Sequence, residues 1–297
     1  MRELKFFSIY VLAVAVVGCL LAPVLYELAQ MFIEAGYFSG LARYRFQKYL
    51  NRAILITAFV FLPFFLKSLK ISGWVGLGIE KNVFWRRDLM LGFLLAALSL
   101  WAVAACMVAT GHREFKPNFP WLNVGGALLT AVTVAFLEEF FFRGALFGVL
   151  RRRFSAYRAL AILTVIFSAL HFIRSPKGKT RLSQVEWYTG FVELPKSFWQ
   201  FSEPELFFGG FLTLFMVGWV LGYAVIKTKS LFLAIGLHAG WVFALRSFMF
   251  ATRKSAEPGL WFGRDLMTGL APLILLALTG FFLMRYFSKR LDGAEAA

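Results

Sequence analysis

Long apolar runs, separated by short charged or Gly/Pro segments, limit what this chain can fold into. Of its 297 residues, 60% are hydrophobic, only 16% are charged and 36 are Phe, so a water-soluble core could not hide its apolar surface. A helix needs about 20 apolar residues to cross a hydrocarbon layer of about 30 Å, in which backbone amides must bond internally. The sequence therefore predicts an all-α, polytopic bundle of transmembrane helices.

Eight apolar runs are candidates for these helices. They cover residues 6–33, 53–66, 89–110, 121–150, 159–173, 206–226, 231–250 and 267–287. The second and fifth runs are short, so seven or nine spans are also possible. Because no repeat or soluble segment interrupts the series, we expect one integral membrane domain over 1–297, with its functional core helices in 121–250. The connection 174–205 mixes basic and aromatic residues, which is typical of the membrane interface.

The formal net charge of +16 indicates contact with the membrane surface rather than with nucleic acid. The basic residues lie in short clusters between the apolar runs, which is typical of topology signals and phospholipid contacts. Two tight basic loops, 151–158 and 227–229, fall on the cytoplasmic side if the N-terminus is cytoplasmic. We expect that orientation, with the lipid bilayer as a partner and no nucleic acid. The oligomeric state stays open.

Two adjacent acids, Glu138 and Glu139, lie inside the fourth apolar run. A charge at the bilayer centre costs about 2.5–3.5 kcal/mol on insertion scales, so such residues indicate a functional site. Glu139 precedes Arg143 by four residues, the favourable order for an ion pair along a helix. We assign this pair to architecture, and Glu138 to general-base chemistry. The two acids project about 100° apart, which fits two separate roles.

His171 ends the fifth run at a depth that matches Glu138. If the fourth and fifth helices form an antiparallel hairpin about the loop 151–158, each of these residues lies about 20 Å from that loop, at about 1.5 Å per residue. The sequence therefore predicts that the two side chains meet.

His238 lies in the seventh run, and its distance from Lys229 corresponds to about 14 Å of helix. A modest tilt or offset would bring it to the level of the acids. Gly236 and Gly240 flank it and permit the close approach of a neighbouring helix.

These residues resemble the motifs of a known family, the CAAX protease and bacteriocin-processing (CPBP, or Abi) group of glutamic-type intramembrane proteases. Its motifs are E-E-x-x-x-R, F-x-x-x-H and H-x-x-x-Asn/Asp, on helices that follow one another along the chain. The matching residues are Glu138, Glu139, Arg143, Phe167, His171 and His238. The third motif is incomplete, because Val242 replaces Asn or Asp. Each motif alone is weak, but the ordered set is specific.

The resemblance implies an intramembrane endopeptidase of a prokaryotic cell (inner) membrane. Its substrate would be a lipid-anchored or membrane-tethered protein or peptide, cut near the membrane surface. Glu138 and His171 would activate a water, and His238 would stabilise the oxyanion. Because Val242 cannot donate a hydrogen bond, either His238 acts alone, or another donor such as the Trp241 indole or a serine substitutes, or the oxyanion site is weakened.

Two alternatives to this interpretation stay open. Glu138, His171 and His238 would also make the two-histidine, one-carboxylate ligand set of a catalytic zinc, although the resemblance implies no cofactor. The chain could instead be a non-catalytic membrane protein, either a bacteriocin immunity factor or a proton-coupled transporter. A transporter of this kind would be expected to have repeated halves, which the sequence lacks.

Overall fold

The computed structural model describes residues 2–77, 79–119, 121–173, 184–256, 259–263 and 269–295. Its α-helices are α1 (Arg2–Glu34), α2 (Phe46–Ser68), α3 (Trp85–Ala109), α4 (Trp121–Glu139), α5 (Phe147–Arg151), α6 (Ala156–His171), α7 (Thr189–Lys196), α8 (Pro204–Thr228), α9 (Phe232–Ala251), α10 (Gly259–Phe262) and α11 (Leu270–Glu295). Two short strands, β1 (Arg113–Phe115) and β2 (Thr252–Lys254), form an antiparallel ribbon. The predicted all-α fold class is confirmed.

Seven helices in the described part of the chain are long and apolar enough to cross a membrane. They are Lys5–Glu34, Phe46–Ser68, Trp85–Ala109, Trp121–Arg151, Gly209–Thr228, Phe232–Ala251 and Leu270–Phe287. The chain is an integral membrane protein, as predicted. Each predicted run holds a helix, but the fifth is α6, whose 16 residues extend only about 24 Å at about 1.5 Å per residue. Residues 267 and 268 of the eighth run lie outside the described residues.

Helix α2 begins well before the apolar run that predicted it. Polar residues at its start hide the apolar pattern, but Phe46, Leu50 and Ala53 share one helical face. All three are buried against Cys19 and Ala22 of α1. Packing on α1 therefore extends α2 beyond the segment that hydropathy alone marks.

The described residues divide into two compact units. The first comprises Met1–Ser72 and His171–Pro204, and the second comprises Gly73–Leu170 and Glu205–Ala297. The second unit contains almost all of the residues that match the family motifs. A single membrane domain over 1–297, with its functional core in 121–250, stays a prediction.

In the first unit, the short helix α7 packs against α1. A Cβ atom added to Gly190 would overlap the backbone of Cys19, which lies near the middle of α1. Helix α7 belongs to the connection 174–205, for which we predicted an interfacial position. That position stays a prediction, and residues 174–183 lie outside the described residues.

In the second unit, α3 and α9 lie in close contact through glycines. A Cβ atom added to Gly92 would lie 2.6 Å from the carbonyl oxygen of Leu233, and one added to Gly236 or Gly240 would overlap the α3 backbone. The predicted close approach beside His238 therefore occurs, and its partner is α3. The ribbon ties the ends of the same two helices, because β1 follows α3 and β2 follows α9.

Candidate active site

The helix that carries the two acids changes its winding directly after Glu139. Residues Phe140–Leu146 form a π-helical segment between α4 and α5. Such segments are rare, and they occur frequently at functional sites. Nothing in the sequence predicted this one.

Glu139 lies at the centre of a buried polar cluster. Its Oε1 atom accepts a hydrogen bond from Nη1 of Arg143 at 2.8 Å and lies 2.8 Å from Nδ1 of His238. The side chains of Glu139 and Arg143 are both 0% exposed. The ion pair expected from the four-residue spacing is therefore present. It also holds the histidine of the third motif, a contact that the sequence did not predict.

Arg143 joins three helices of the second unit. Besides Glu139, it donates through Nη2 to the carbonyl oxygen of Gly218 in α8 at 3.3 Å. Its guanidinium carbon lies 4.3 Å from the ring centroid of Phe167 in α6, within the range of a cation–π contact. The arginine thus fixes α6 and α8 around the acid.

Phe167, the aromatic residue of the second motif, packs between Arg143 and His238. Its ring meets that of Phe142 edge-on at 5.1 Å and that of His238 at 6.5 Å with an interplanar angle of 82°. The contact with Phe142 also shows that the helices on either side of the loop 151–158 form the predicted hairpin. Phe167 therefore supports the site through packing.

The imidazole of His238 lies between the two glutamates. Its Nδ1 faces Glu139, and its Nε2 lies 3.9 Å from Oε2 of Glu138. Gly236 and Gly240 pack on α3, and His238, two residues from each, projects about 200° away from them. Glu138 and Glu139 point in different directions from one helix, yet both lie near the imidazole of His238, because its two ring nitrogens also face in different directions.

The two acids differ in their access to solvent. The side chain of Glu138 is 28% exposed, whereas that of Glu139 is fully buried. The gap of 3.9 Å between Glu138 and His238 exceeds a hydrogen bond, but one water can bind both groups across such a distance. In this arrangement, Glu138 can polarise a small molecule such as water, while Glu139 holds the His238 ring in place.

The remaining predicted site residues are placed as follows. His171 is the last residue of α6 and belongs to the other unit, so its meeting with Glu138 stays a prediction. Trp241 is buried, and its indole nitrogen has no hydrogen-bond partner among the residues that the structure describes. Val242 is partly buried.

No group of three His, Cys, Asp or Glu side chains in the described ranges is arranged to hold a metal ion. The zinc alternative requires His171 to lie beside Glu138 and His238. Because the meeting of His171 with Glu138 stays a prediction, the zinc alternative stays untested. The expectation of a reaction without a cofactor likewise stays a prediction.

Gly218 is a site residue that sequence reasoning missed. A Cβ atom there would lie 2.9 Å from Cγ2 of Thr164, and one at Gly222 would overlap the Leu160 side chain. The signal was present, because Gly218 and Gly222 have the small-xxx-small spacing of close transmembrane packing. Such a pattern marks the helix contact between α6 and α8, but it does not reveal that a backbone carbonyl accepts from Arg143.

A polytopic membrane bundle with two acids and a histidine in one cluster has the features of an intramembrane hydrolase. A family model described as "Type II CAAX prenyl endopeptidase Rce1-like" matches residues 120–244, the segment that holds every motif residue. Residues 120–244 therefore carry the CAAX protease and bacteriocin-processing family domain, and the chain is a peptide hydrolase. No curated protein and no solved structure matches the chain.

Proposed function

We propose that this endopeptidase hydrolyses a peptide bond near the membrane surface of a lipid-anchored or membrane-tethered protein or peptide, with Glu138 as general base. The observation that carries the proposal is the position of His238 between a fully buried acid and a partly exposed one. The family supplies the class of reaction, and the geometry gives each acid a separate task.

Glu139 positions the histidine. A carboxylate bonded to Nδ1 of an imidazole fixes the orientation of the ring, as the buried acid does in a catalytic triad. Arg143 donates to the same oxygen, and this charge-assisted hydrogen bond keeps the Glu139 side chain in place. Nε2 of His238 is thereby directed toward Glu138.

Glu138 takes the proton of the attacking water, and its partial exposure gives water and substrate access. The water oxygen bonds to the peptide carbon, and the proton passes through Glu138 to the leaving amine as the C–N bond breaks. General-base catalysis of this kind contributes about 10²–10⁴-fold. His171, which the family resemblance pairs with Glu138, acts on the same water.

His238 stabilises the oxyanion. Two carboxylates and one guanidinium would leave one negative charge in the cluster, and buried charge is costly unless it is paired. A protonated His238 balances that charge and can donate through Nε2 to the tetrahedral intermediate. The buried Trp241 indole is the second donor, in the role that Val242 cannot fill.

The substrate and the setting are part of the same proposal. We assign the enzyme to a prokaryotic cell (inner) membrane with a cytoplasmic N-terminus, since the tight basic loops 151–158 and 227–229 then lie inside. The reaction uses no metal or other cofactor. Peptide cleavage that a chelator abolishes and zinc restores would favour the zinc alternative instead.

Cleavage of a lipid-anchored reporter peptide by detergent-purified protein tests this proposal. Glu138→Ala and His171→Ala should each lower the rate by about 10²–10⁴-fold. The exposed Glu27 in α1 offers a matched control, so Glu27→Ala should keep the wild-type rate. Cleavage that survives both site changes would reject Glu138 and His171 as the water-activating pair.

A further inference from the structure

A second cavity lies in the second unit, at the opposite end of α4 and α9 from the glutamates. Its volume is about 530 Å³, which falls in the range of small-molecule sites. Val124, one of its lining residues, precedes Glu138 by about 21 Å of helix at about 1.5 Å per residue. The cavity is therefore separate from the candidate active site.

The lining of this cavity suits hydrocarbon. The lining residues include Trp101, Ala105, Val108, Phe119, Phe243 and Phe248. Ser247 carries the only hydroxyl among the lining residues of the described chain, and it accepts a hydrogen bond from the Trp101 indole at 3.3 Å. The hydroxyl in turn donates to the carbonyl oxygen of Ala244 at 3.1 Å, so both groups are hydrogen-bonded and the rest of the lining is largely apolar.

Basic residues border the cavity on the β1–β2 ribbon. The ribbon and the residue after β1 carry four cations and the single acid Glu114. They are Arg113, Lys116, Arg253 and Lys254. Lys116 bonds through its backbone to Ala251 at 2.9 Å, and Ala251 and Phe115 both line the cavity.

Three of these cations are exposed beside the cavity, and the fourth is buried. Arg253 pairs with Glu114, and Arg113 is buried on Thr252. Lys116 donates through Nζ to the carbonyl oxygen of Phe250 at 2.8 Å, directly before the lining residue Ala251. Lys116 and Lys254 are both exposed, so they bring positive charge to the end of the apolar cavity. Hydrocarbon inside and positive charge outside are the two features that an anionic lipid matches.

We propose that this cavity binds an anionic phospholipid, with an acyl chain between α3, α4 and α9 and its phosphate against the ribbon. A neutral lipid would fill the apolar interior but would gain little from the exposed lysines. The site is distinct from the candidate active site, because neither glutamate nor His238 is among the residues that line the cavity.

Native mass spectrometry of the full chain in detergent tests the proposal, with phosphatidylglycerol and phosphatidylcholine of identical acyl chains as probes. The wild type should bind phosphatidylglycerol at least tenfold more tightly than phosphatidylcholine. Ala105 and Ala102 are both exposed on α3, but only Ala105 lines the cavity. Ala105→Trp should weaken phosphatidylglycerol binding at least tenfold, and Ala102→Trp should leave it unchanged.

A charge variant separates the head group from the acyl chain. Lys116→Gln with Lys254→Gln should remove the preference for phosphatidylglycerol, whereas Lys67→Gln with Lys227→Gln, at the ends of α2 and α8, should keep it. Equal binding of the two lipids by the wild type, or unchanged binding by Ala105→Trp, would overturn the proposal. Displacement of the lipid by a farnesylated peptide would also overturn it, since the cavity would then be a substrate site.

Discussion

Each of the two units holds a buried acid with a cation on the same helix, but the two cations differ in exposure. In the second unit, Glu139 pairs with Arg143, and both side chains are 0% exposed. In the first unit, the side chain of Glu193 is 3% exposed and that of its partner Lys196 is 52% exposed. Gln47 also donates to Glu193 at 2.8 Å.

The difference shows what each pair is suited to do. A half-exposed lysine can exchange its partner for water, so its pair with Glu193 contributes little to stability. A fully buried pair depends on both members, because the loss of one leaves an uncompensated charge. The Glu139–Arg143 pair is therefore suited to hold His238 rigidly, whereas Glu193 serves to attach α7 to α2.

The largest expected effect follows from breaking the fully buried pair. Arg143→Met should lower the free energy of unfolding by about 3–5 kcal/mol, because it removes the guanidinium that donates to the fully buried Glu139 and breaks a buried pair. Unfolding by denaturing detergent, followed by circular dichroism, measures this change. The double variant Arg143→Met, Glu139→Gln should recover most of the loss, and a single variant as stable as the wild type would contradict the account.

The next effect concerns the histidine that the buried pair holds. His238→Gln should lower the rate of reporter cleavage by about 10²–10³-fold, the typical result of removing an oxyanion donor. The free energy of unfolding should change far less than in Arg143→Met, since Glu139 and Arg143 still pair. A wild-type cleavage rate in His238→Gln would remove this residue from the reaction.

Gly218 and Gly190 extend the comparison of the two units to places where a helix backbone packs closely against a neighbouring helix. Gly218→Ala crowds Thr164 beside the site, and Gly190→Ala crowds Cys19 in the first unit. Each should lower the free energy of unfolding by about 1–3 kcal/mol through overpacking. Only Gly218→Ala should also slow cleavage per folded molecule, because Gly218 bonds to Arg143. Equal effects of both changes on cleavage would show that the site does not depend on this contact.

The smallest effect is expected at the half-exposed cation. Lys196→Met should change the free energy of unfolding by only about 0–1 kcal/mol, since Gln47 still donates to Glu193. Reporter cleavage should match the wild type. A loss of stability as large as that of Arg143→Met would mean that exposure does not distinguish the two pairs.

The sequence was sufficient wherever the signal was local. Hydropathy located the helices because each span must supply its own apolar surface, and the four-residue spacing predicted the pair of Glu139 with Arg143. The hairpin about the loop 151–158, which we took as a condition for the matching depth of Glu138 and His171, is present, since Phe142 and Phe167 on its two sides are in contact.

Contacts between distant parts of the chain could not be predicted in this way. The bond of His238 to Glu139, 99 residues apart, depends on how α9 turns when its glycines meet α3. The buried position of Glu193 depends on Gln47, 146 residues away, so no local signal in the connection 174–205 could predict it. The π-helical segment after Glu139 has no known signal in hydropathy or spacing.

The central claim is that two adjacent glutamates have separate tasks, and a comparison of Glu138→Gln with Glu139→Gln tests it most directly. Reporter cleavage and the free energy of unfolding should be measured on both variants. Glu138→Gln should lose about 10²–10⁴-fold in rate and keep its stability, since its side chain is partly exposed. Glu139→Gln should lose about 3–5 kcal/mol of stability, because Arg143 is left without its acid. Normal cleavage by Glu138→Gln, or the same profile in both variants, would contradict the account.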